Sequence, residues 1–278
     1  MLKKILPCIL VAMVCIACSG DVQREAMRLY NDAEADFAAG NFNAAKLKLD
    51  SIDKQHRADV DFRRMADTLR WEIEMQENLR NIAYYDSVIS LSVPQVENMK
   101  KNFVSTGDSA ILGYDVFVHR SQGRSYLPHT NLVCEVRDNG ELYMISVFMG
   151  RELNHTSYEV SADGGIFKES GEVPLSTAAN NRFDDLGVRW EYVTYRPALQ
   201  NGTAEFVADY ADKKIMVTLN GEKSVYKFYL DKRDKTAIKE SVEFASMLKA
   251  LLKMQRDKRV AENNVVWIQD KLNKKKAE

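Results

Sequence analysis

The stretch "NLVCEVRDNGELYMISVF", residues 131–148, constrains the fold more than any other part of the chain. Apolar and polar residues alternate on either side of Asn139-Gly140, and an Asn-Gly pair between two such runs is the strongest short-range hairpin signal. A two-residue turn there places Val136 opposite Tyr143, Cys134 opposite Ile145 and Leu132 opposite Val147, so six apolar side chains share one face. Cys134 is therefore expected on the buried face, as an inert core thiol. A second Asn-Gly pair, Asn220-Gly221, sets Ile215, Val217 and Leu219 on the same face as Tyr226, Phe228 and Leu230. Between the hairpins, "TSYEV", "GIFKES", "GVRWEYVTY" and "TAEFVADY" read as further strands. The expectation is about seven or eight antiparallel strands across residues 107–232.

Helical patterns bracket this region. Leu29, Ala33 and Phe37 recur at helical spacing, as do Phe42, Ala45, Leu49 and Ile52, around a break at Gly40-Asn41. Gly40 has the backbone freedom to end the first helix, and Asn41 suits the cap of the second. Gly40, Phe42 and Ala45 resemble the turn, aromatic and small-residue positions of a single tetratricopeptide-type hairpin, with no second copy at the repeat period. From Ala58 to Ser90 there is neither Gly nor Pro, and Val60, Met65, Leu69, Ile73, Ile82 and Ile89 mark a long helix. Val93-Pro94 is expected to interrupt it, with a short helix following from Pro94 to about Phe103. The last helix, capped by Asp234, runs to about Lys274 with the seam Ile238, Val242, Ala245, Leu248 and Leu252. It is expected to pack on the sheet and then against the long N-terminal helix as an antiparallel, coiled-coil-like pair. The fold class is α+β, in four segments: 1–17, a leader; 18–106, helical; 107–232, antiparallel β; and 233–278, the long C-terminal helix.

The leader follows from a change of composition. Lys3 and Lys4 precede the uncharged run "ILPCILVAMVCIA", which is shorter than the roughly 20 residues a spanning helix needs and fits a secretory leader. Cys15-Ile16-Ala17-Cys18 resembles the lipobox of bacterial lipoproteins, in which a small residue directly precedes the cysteine; Cys15 stands where that family usually carries Leu. The resemblance implies cleavage before Cys18, acylation of Cys18 with lipid including palmitate, and membrane lipid as the chain's first partner. Ser19, rather than Asp, after the cysteine implies the outer membrane of a Gram-negative bacterium, with the periplasmic or surface face left open. Cleavage also removes Cys8 and Cys15, and with Cys18 acylated Cys134 has no disulfide partner.

Elsewhere the residues converge on no chemistry. With 39 basic and 40 acidic side chains, the chain lacks the cationic footprint of a nucleic-acid binder. None of the four histidines, His56, His119, His129 and His155, stands at metal-ligand spacing from another, and no paired-cysteine or phosphate-loop motif occurs. No metal, cofactor or enzymatic activity is expected. His155, in "ELNHTSY", is read as a loop residue between strands. Gly107-Asp108-Ser109 superficially resembles the first block of GDSL-type esterases, but the family's later blocks are missing, and a bland loop is the better reading. Four Asp-Ser/Thr-aliphatic triplets resemble the O-glycosylation signal of some exported Gram-negative proteins, which makes Ser51, Thr68, Ser87 and Ser109 candidate modification sites.

Two functions stay open. One is a binding or scaffolding lipoprotein whose helical region takes a protein partner, which predicts exposed apolar residues around Leu29, Phe37 and Trp71. The other is a small-molecule binder whose β region encloses a pocket lined by Trp190, Tyr192, Tyr195, Phe206, Tyr210, Tyr226 and Phe228.

Overall fold

The computed structural model describes residues 6–106, 112–122, 129–163 and 165–277, with side chains from residue 22 onward. The chain is α+β. Its elements are α1 (Leu6–Ala38), α2 (Phe42–Gln55), α3 (Val60–Lys100), β1 (Phe103–Ser105), β2 (Val116–His119), β3 (Asn131–Arg137), β4 (Leu142–Gly150), β5 (His155–Ala162), β6 (Ile166–Glu169), β7 (Asn180–Asp185), β8 (Val188–Tyr195), α4 (Pro197–Gln200), α5 (Thr203–Asp209), β9 (Ile215–Gly221), β10 (Val225–Tyr229) and α6 (Lys232–Ala277). They form two compact units: the chain up to Ser87 together with Arg256 onward, and Val88–Gln255. Segments 18–106 and 233–278 each divide between the two.

The first unit is helical. Gly40 adopts φ +77° and ends α1, so that α2 folds back. Ala33, Ala45, Leu49 and Ile52 meet Leu69 and Ile73 of α3 in a closed core, with Leu29, Phe37 and Phe42 packed at its edge. Asn41 stands at the N-cap of α2, although its side chain makes no capping bond. The end of α6 runs antiparallel to α3: Lys258 pairs with Asp86 (2.6 Å), Asn264 with Asn78 (3.4 Å) and Lys275 with the Arg64 carbonyl (2.6 Å). Ala261 and Ile268 are buried along that line.

The second unit holds two antiparallel sheets, ordered β1-β2-β3-β4-β8-β7 and β10-β9-β5-β6. One inner face of the larger sheet is covered twice. On the β1–β2 side Phe103 and Phe117 pack on Phe244 of α6, with ring centroids 4.5 and 5.7 Å apart. On the β8 side Tyr195 meets Tyr158 of β5 at 4.8 Å. Leu132, Cys134, Val136, Met144, Val160 and Val217 fill the core between them.

Several sequence expectations are corrected here. The first hairpin is offset by one residue: Val136 faces Leu142, Cys134 faces Met144, and Leu132 faces Ser146. Arg137 N–H bonds the Glu141 carbonyl (2.9 Å), which leaves a three-residue loop with Gly140 at φ +79°. This is a type I turn closed by a glycine bulge, and the one-residue change sends Tyr143 and Ile145 to the opposite face while Leu142 and Met144 turn inward. Cys134 keeps its place, with no exposed surface, and burial pushes its thiol well up.

The second hairpin turns two residues later than expected, at Glu222-Lys223. The displacement changes the register by an even number, so Leu219 and Val217 keep the face of Tyr226 and Phe228, with which they are directly paired. "TAEFVADY" is the helix α5, because Thr203, Ala204, Phe206 and Val207 bury one face at helical spacing. With β1, β2 and β7 added, ten strands are formed among the described residues. Pro94 lies inside an unbroken α3. A proline in a helix interior costs about 3 kcal/mol, and the burial of Val96 and the packing of Ile89 and Met99 on the core outweigh it. Finally, α6 is capped by Asp231, whose carboxylate accepts the Asp234 N–H at 2.7 Å.

Candidate functional site

The alternation of β8 divides its side chains by chemistry. Glu191, Val193 and Tyr195 point inward, while Trp190 and Tyr192 stand half-buried on the outer face. β7 is the edge strand beside them and sets Phe183 opposite Trp190 and Asn181 opposite Tyr192. The three rings form a cluster: Phe183–Trp190 6.4 Å, Phe183–Tyr192 5.8 Å and Trp190–Tyr192 6.1 Å, with interplanar angles of 13°, 9° and 19°. Phe183 is 43% exposed, and Met149, opposite Trp190 on β4, is also open to solvent. Near-parallel rings at an open edge present apolar surface to a ligand, with Asn181 on the same strand face opposite Tyr192.

The rest of the expected aromatic set is not brought to this place. Tyr195 and Phe206 are buried, Phe206 against Tyr210 at 4.7 Å, and Tyr226 and Phe228 pair at 6.2 Å on β10. Phe183 was missed in the sequence because "NNRFDD" shows no apolar alternation.

On the inner side of β8 lies a chain of polar groups. Glu191 accepts the backbone N–H of Leu153 (2.8 Å), Asn154 (2.7 Å) and His155 (3.0 Å), and the His155 Nδ1–H at 2.7 Å. His155 Nε2 meets the Ser146 hydroxyl at 2.6 Å. With Glu191 ionised, Nδ1 carries the donated proton. Burial opposes ionisation of Glu191, but the bonds from the His155 ring and three backbone amides overcome it and hold the carboxyl at about 2. The order serine, histidine, carboxylate is that of acyl-transfer triads. All three residues have 0% exposure, however, so no reacting carbonyl reaches Ser146 Oγ. The arrangement pins the β4–β5 loop, in which Asn154 takes φ +54°. His155 is thus the buried first residue of β5 rather than a loop residue.

Two further histidines bind distant parts of the second unit. His119 Nε2 donates to Glu240 of α6 (3.0 Å), and its Nδ1 accepts from Ser121 (2.8 Å). His129 Nε2 lies 3.2 Å from Asp234, whose other oxygen accepts from Gln122 (2.8 Å). His129, Asp231 and Asp234 bring their ligand atoms within 4.8 Å of one another, a nitrogen and two carboxylates of the kind that hold a divalent cation. Burial raises the Asp234 carboxyl, and Gln122 and His129 act against that rise. Asp231 already spends one oxygen on the helix cap, so the group serves as a cap and a hydrogen-bonded pair as it stands.

The remaining candidate residues are scattered. Cys18 falls within α1, with its side chain outside the described residues, as is all of Ser109. The Ser51 and Thr68 hydroxyls bond the carbonyls of Leu47 (3.0 Å) and Arg64 (2.8 Å) on their own helices, and Thr68 also meets Lys275. Ser87 is exposed on α3. Leu29, Phe37 and Trp71 are half-buried rather than exposed, because Leu29 and Phe37 pack on the hairpin core. Among the described residues no helix is long and apolar enough to cross a membrane. Fold and site together define an α+β protein with a ring cluster on an open sheet edge. Comparisons with protein-family models, curated proteins and solved structures returned no match.

Proposed function

We propose that the chain is a lipoprotein, acylated at Cys18 and held at the outer membrane of a Gram-negative bacterium, and that it works there as a binding module for saccharides through Phe183, Trp190 and Tyr192. The Cys15–Cys18 lipobox supports the anchor. The parallel ring cluster on an edge strand carries the binding reading. Open sheet edges are ordinarily protected by charge, and three adjacent exposed or half-exposed rings in such a place call for a ligand. Sugar rings present flat C–H faces that stack on such rings, and their hydroxyls would find the Asn181 amide and the Tyr192 hydroxyl. A protein partner on the helical region is the second reading; the inward packing of Leu29 and Phe37 makes it the weaker one.

The test is calorimetric titration with oligosaccharides first chosen on a glycan array. Trp190→Ala should weaken binding roughly 30-fold, equivalent to about 2 kcal/mol for a central aromatic anchor. Unchanged affinity in Trp190→Ala, or an array on which nothing binds, would remove the proposal. The anchor has its own check: Cys18→Ala should lose palmitate labelling and leave the membrane fraction, and a variant that still labels is not anchored at Cys18.

A further inference from the structure

From Arg256 onward α6 belongs to the helical unit, where Ala261 and Ile268 turn inward. Steps of seven, four and three residues set Val260, Trp267, Lys271 and Lys274 in one stripe on another side of the helix. Val260 and Trp267 are each 53% exposed, with Val266 beside them at 70%. The Lys271 ammonium lies 5.3 Å from the centre of the Trp267 ring, a cation–π contact, and Lys274 reaches Asp270 (2.7 Å) in an open pair. Three apolar side chains therefore stay in water next to two cations, on a helix that buries its other seam.

The same end of the unit holds the proposed anchor. Lys275 donates to the Arg64 carbonyl near the start of α3 (2.6 Å). The loop before α3 shares one cleft with Val22 of α1, which lies four residues, or about 6 Å of helix, from Cys18. Charge is one-sided there. Residues 271–277 carry four lysines and no acid, and the exposed Arg57, Arg63 and Arg64 outnumber Asp59 and Asp61 across the loop and the first turns of α3. The whole chain has a net charge of −1, so positive charge is gathered at this end.

We infer that this stripe is a docking face for an anionic phospholipid surface, with Trp267 and Val260 set among the head groups and Lys271 and Lys274 against lipid phosphates. It gives a second, reversible hold on the membrane that acylated Cys18 brings near, and to that extent rests on the lipoprotein reading. Lysines in a last turn also complement the helix dipole, but the dipole does not account for the open Val260, Val266 and Trp267. Tryptophan flanked by lysine is the composition of segments that lie in the lipid–water interface. There the ring sits at the head groups and the ammonium reaches the phosphates. Each lysine close to an anionic surface strengthens docking roughly fivefold.

Brominated lipid quenches tryptophan emission on contact and reads the docking directly. The acylated full chain is mixed with excess vesicles of brominated phosphatidylcholine and phosphatidylglycerol in equal parts. Trp71 and Trp190 also emit, so Trp267→Phe identifies the share due to Trp267. That share should be quenched in the mixed vesicles and released in about 1 M salt, which screens charges beyond roughly 3 Å. Lys271→Gln combined with Lys274→Gln should lower the docked-to-free ratio roughly 30-fold. An unquenched Trp267 overturns the docking face, and equal quenching in phosphatidylcholine alone overturns its selection for anionic lipid. Palmitate content is measured on the same preparation. A chain without palmitate whose Trp267 is still quenched loses the anchor and keeps the face; palmitate with an unquenched Trp267 does the reverse.

Discussion

Glu191→Ala should cost the β unit about 4 kcal/mol, the largest single effect expected of any substitution in it. The change strips the partner from the His155 ring and from the amides of Leu153, Asn154 and His155 at once, most of them fully buried. Each buried donor left unpaired is worth about 1–3 kcal/mol, and partial collapse of the β4–β5 loop would recover some of it. The same group sets an acid limit. Glu191 ionises at about 2 in the fold against an ordinary 4.5. Because the folded value is the lower one, its contribution is complete above pH 4.5 and is lost as pH falls from there towards 2. At roughly 1.4 kcal/mol per pH unit the loss reaches about 3 kcal/mol. Urea denaturation followed by tryptophan fluorescence at pH 6, 4 and 3 measures both effects. Glu191→Gln, which cannot titrate, should lack this share of the acid sensitivity. If it loses stability with acid as steeply as the natural chain, Glu191 is not the group responsible.

Gly140→Ala should be the second most damaging change, at about 3 kcal/mol. Gly140 closes the first hairpin at φ +79°, and a Cβ there would stand 2.8 Å from the Lys249 backbone nitrogen and 2.9 Å from its Cβ. The backbone preference alone is worth roughly 1 kcal/mol. The remainder comes from the collision with α6, whose backbone cannot swing aside like the end of a flexible side chain. Gly187 is the control, with φ +77° and nothing within 4 Å of a built Cβ. Gly187→Ala should therefore lose only about 1 kcal/mol. Thermal unfolding of the two variants side by side separates the terms, and equal losses would mean that α6 does not rest on the turn.

The layout was legible where periodicity and length agreed. The seam Ala45, Leu49, Ile52 lies in the hairpin core as its spacing requires, and so does Ile238 of α6 in the sheet core. What misled were signals with two physical solutions. "RDNGE" closes as a two-residue or as a three-residue loop, and nothing local to Asn139-Gly140 chooses between them; the approach of α6 lies more than a hundred residues away. "TAEFVADY" satisfies both a period of two and a helical face, and its inward residues settle on the helix. Pro94 is tolerated because the core rewards Val96 beyond it. In the candidate site, Trp190 and Tyr192 were visible as aromatics on one strand face, whereas Phe183 required the pairing of β7 with β8. The Ser146–His155–Glu191 chain spans 45 positions and carries no local pattern at all.

The contact of Phe103 and Phe117 with Phe244 dictates an order of events. β1 and β2 are made early, but the ring that covers them arrives 127 residues after the last of the two. Until then their apolar face is bare, and a chain emerging from synthesis cannot close this core part by part. Long-range closure of this kind slows folding and prolongs exposure to wrong partners. If the chain is exported as proposed, threaded across a membrane before it folds, the delay is an advantage, since the last helix withholds the native state until nearly the whole polypeptide has arrived.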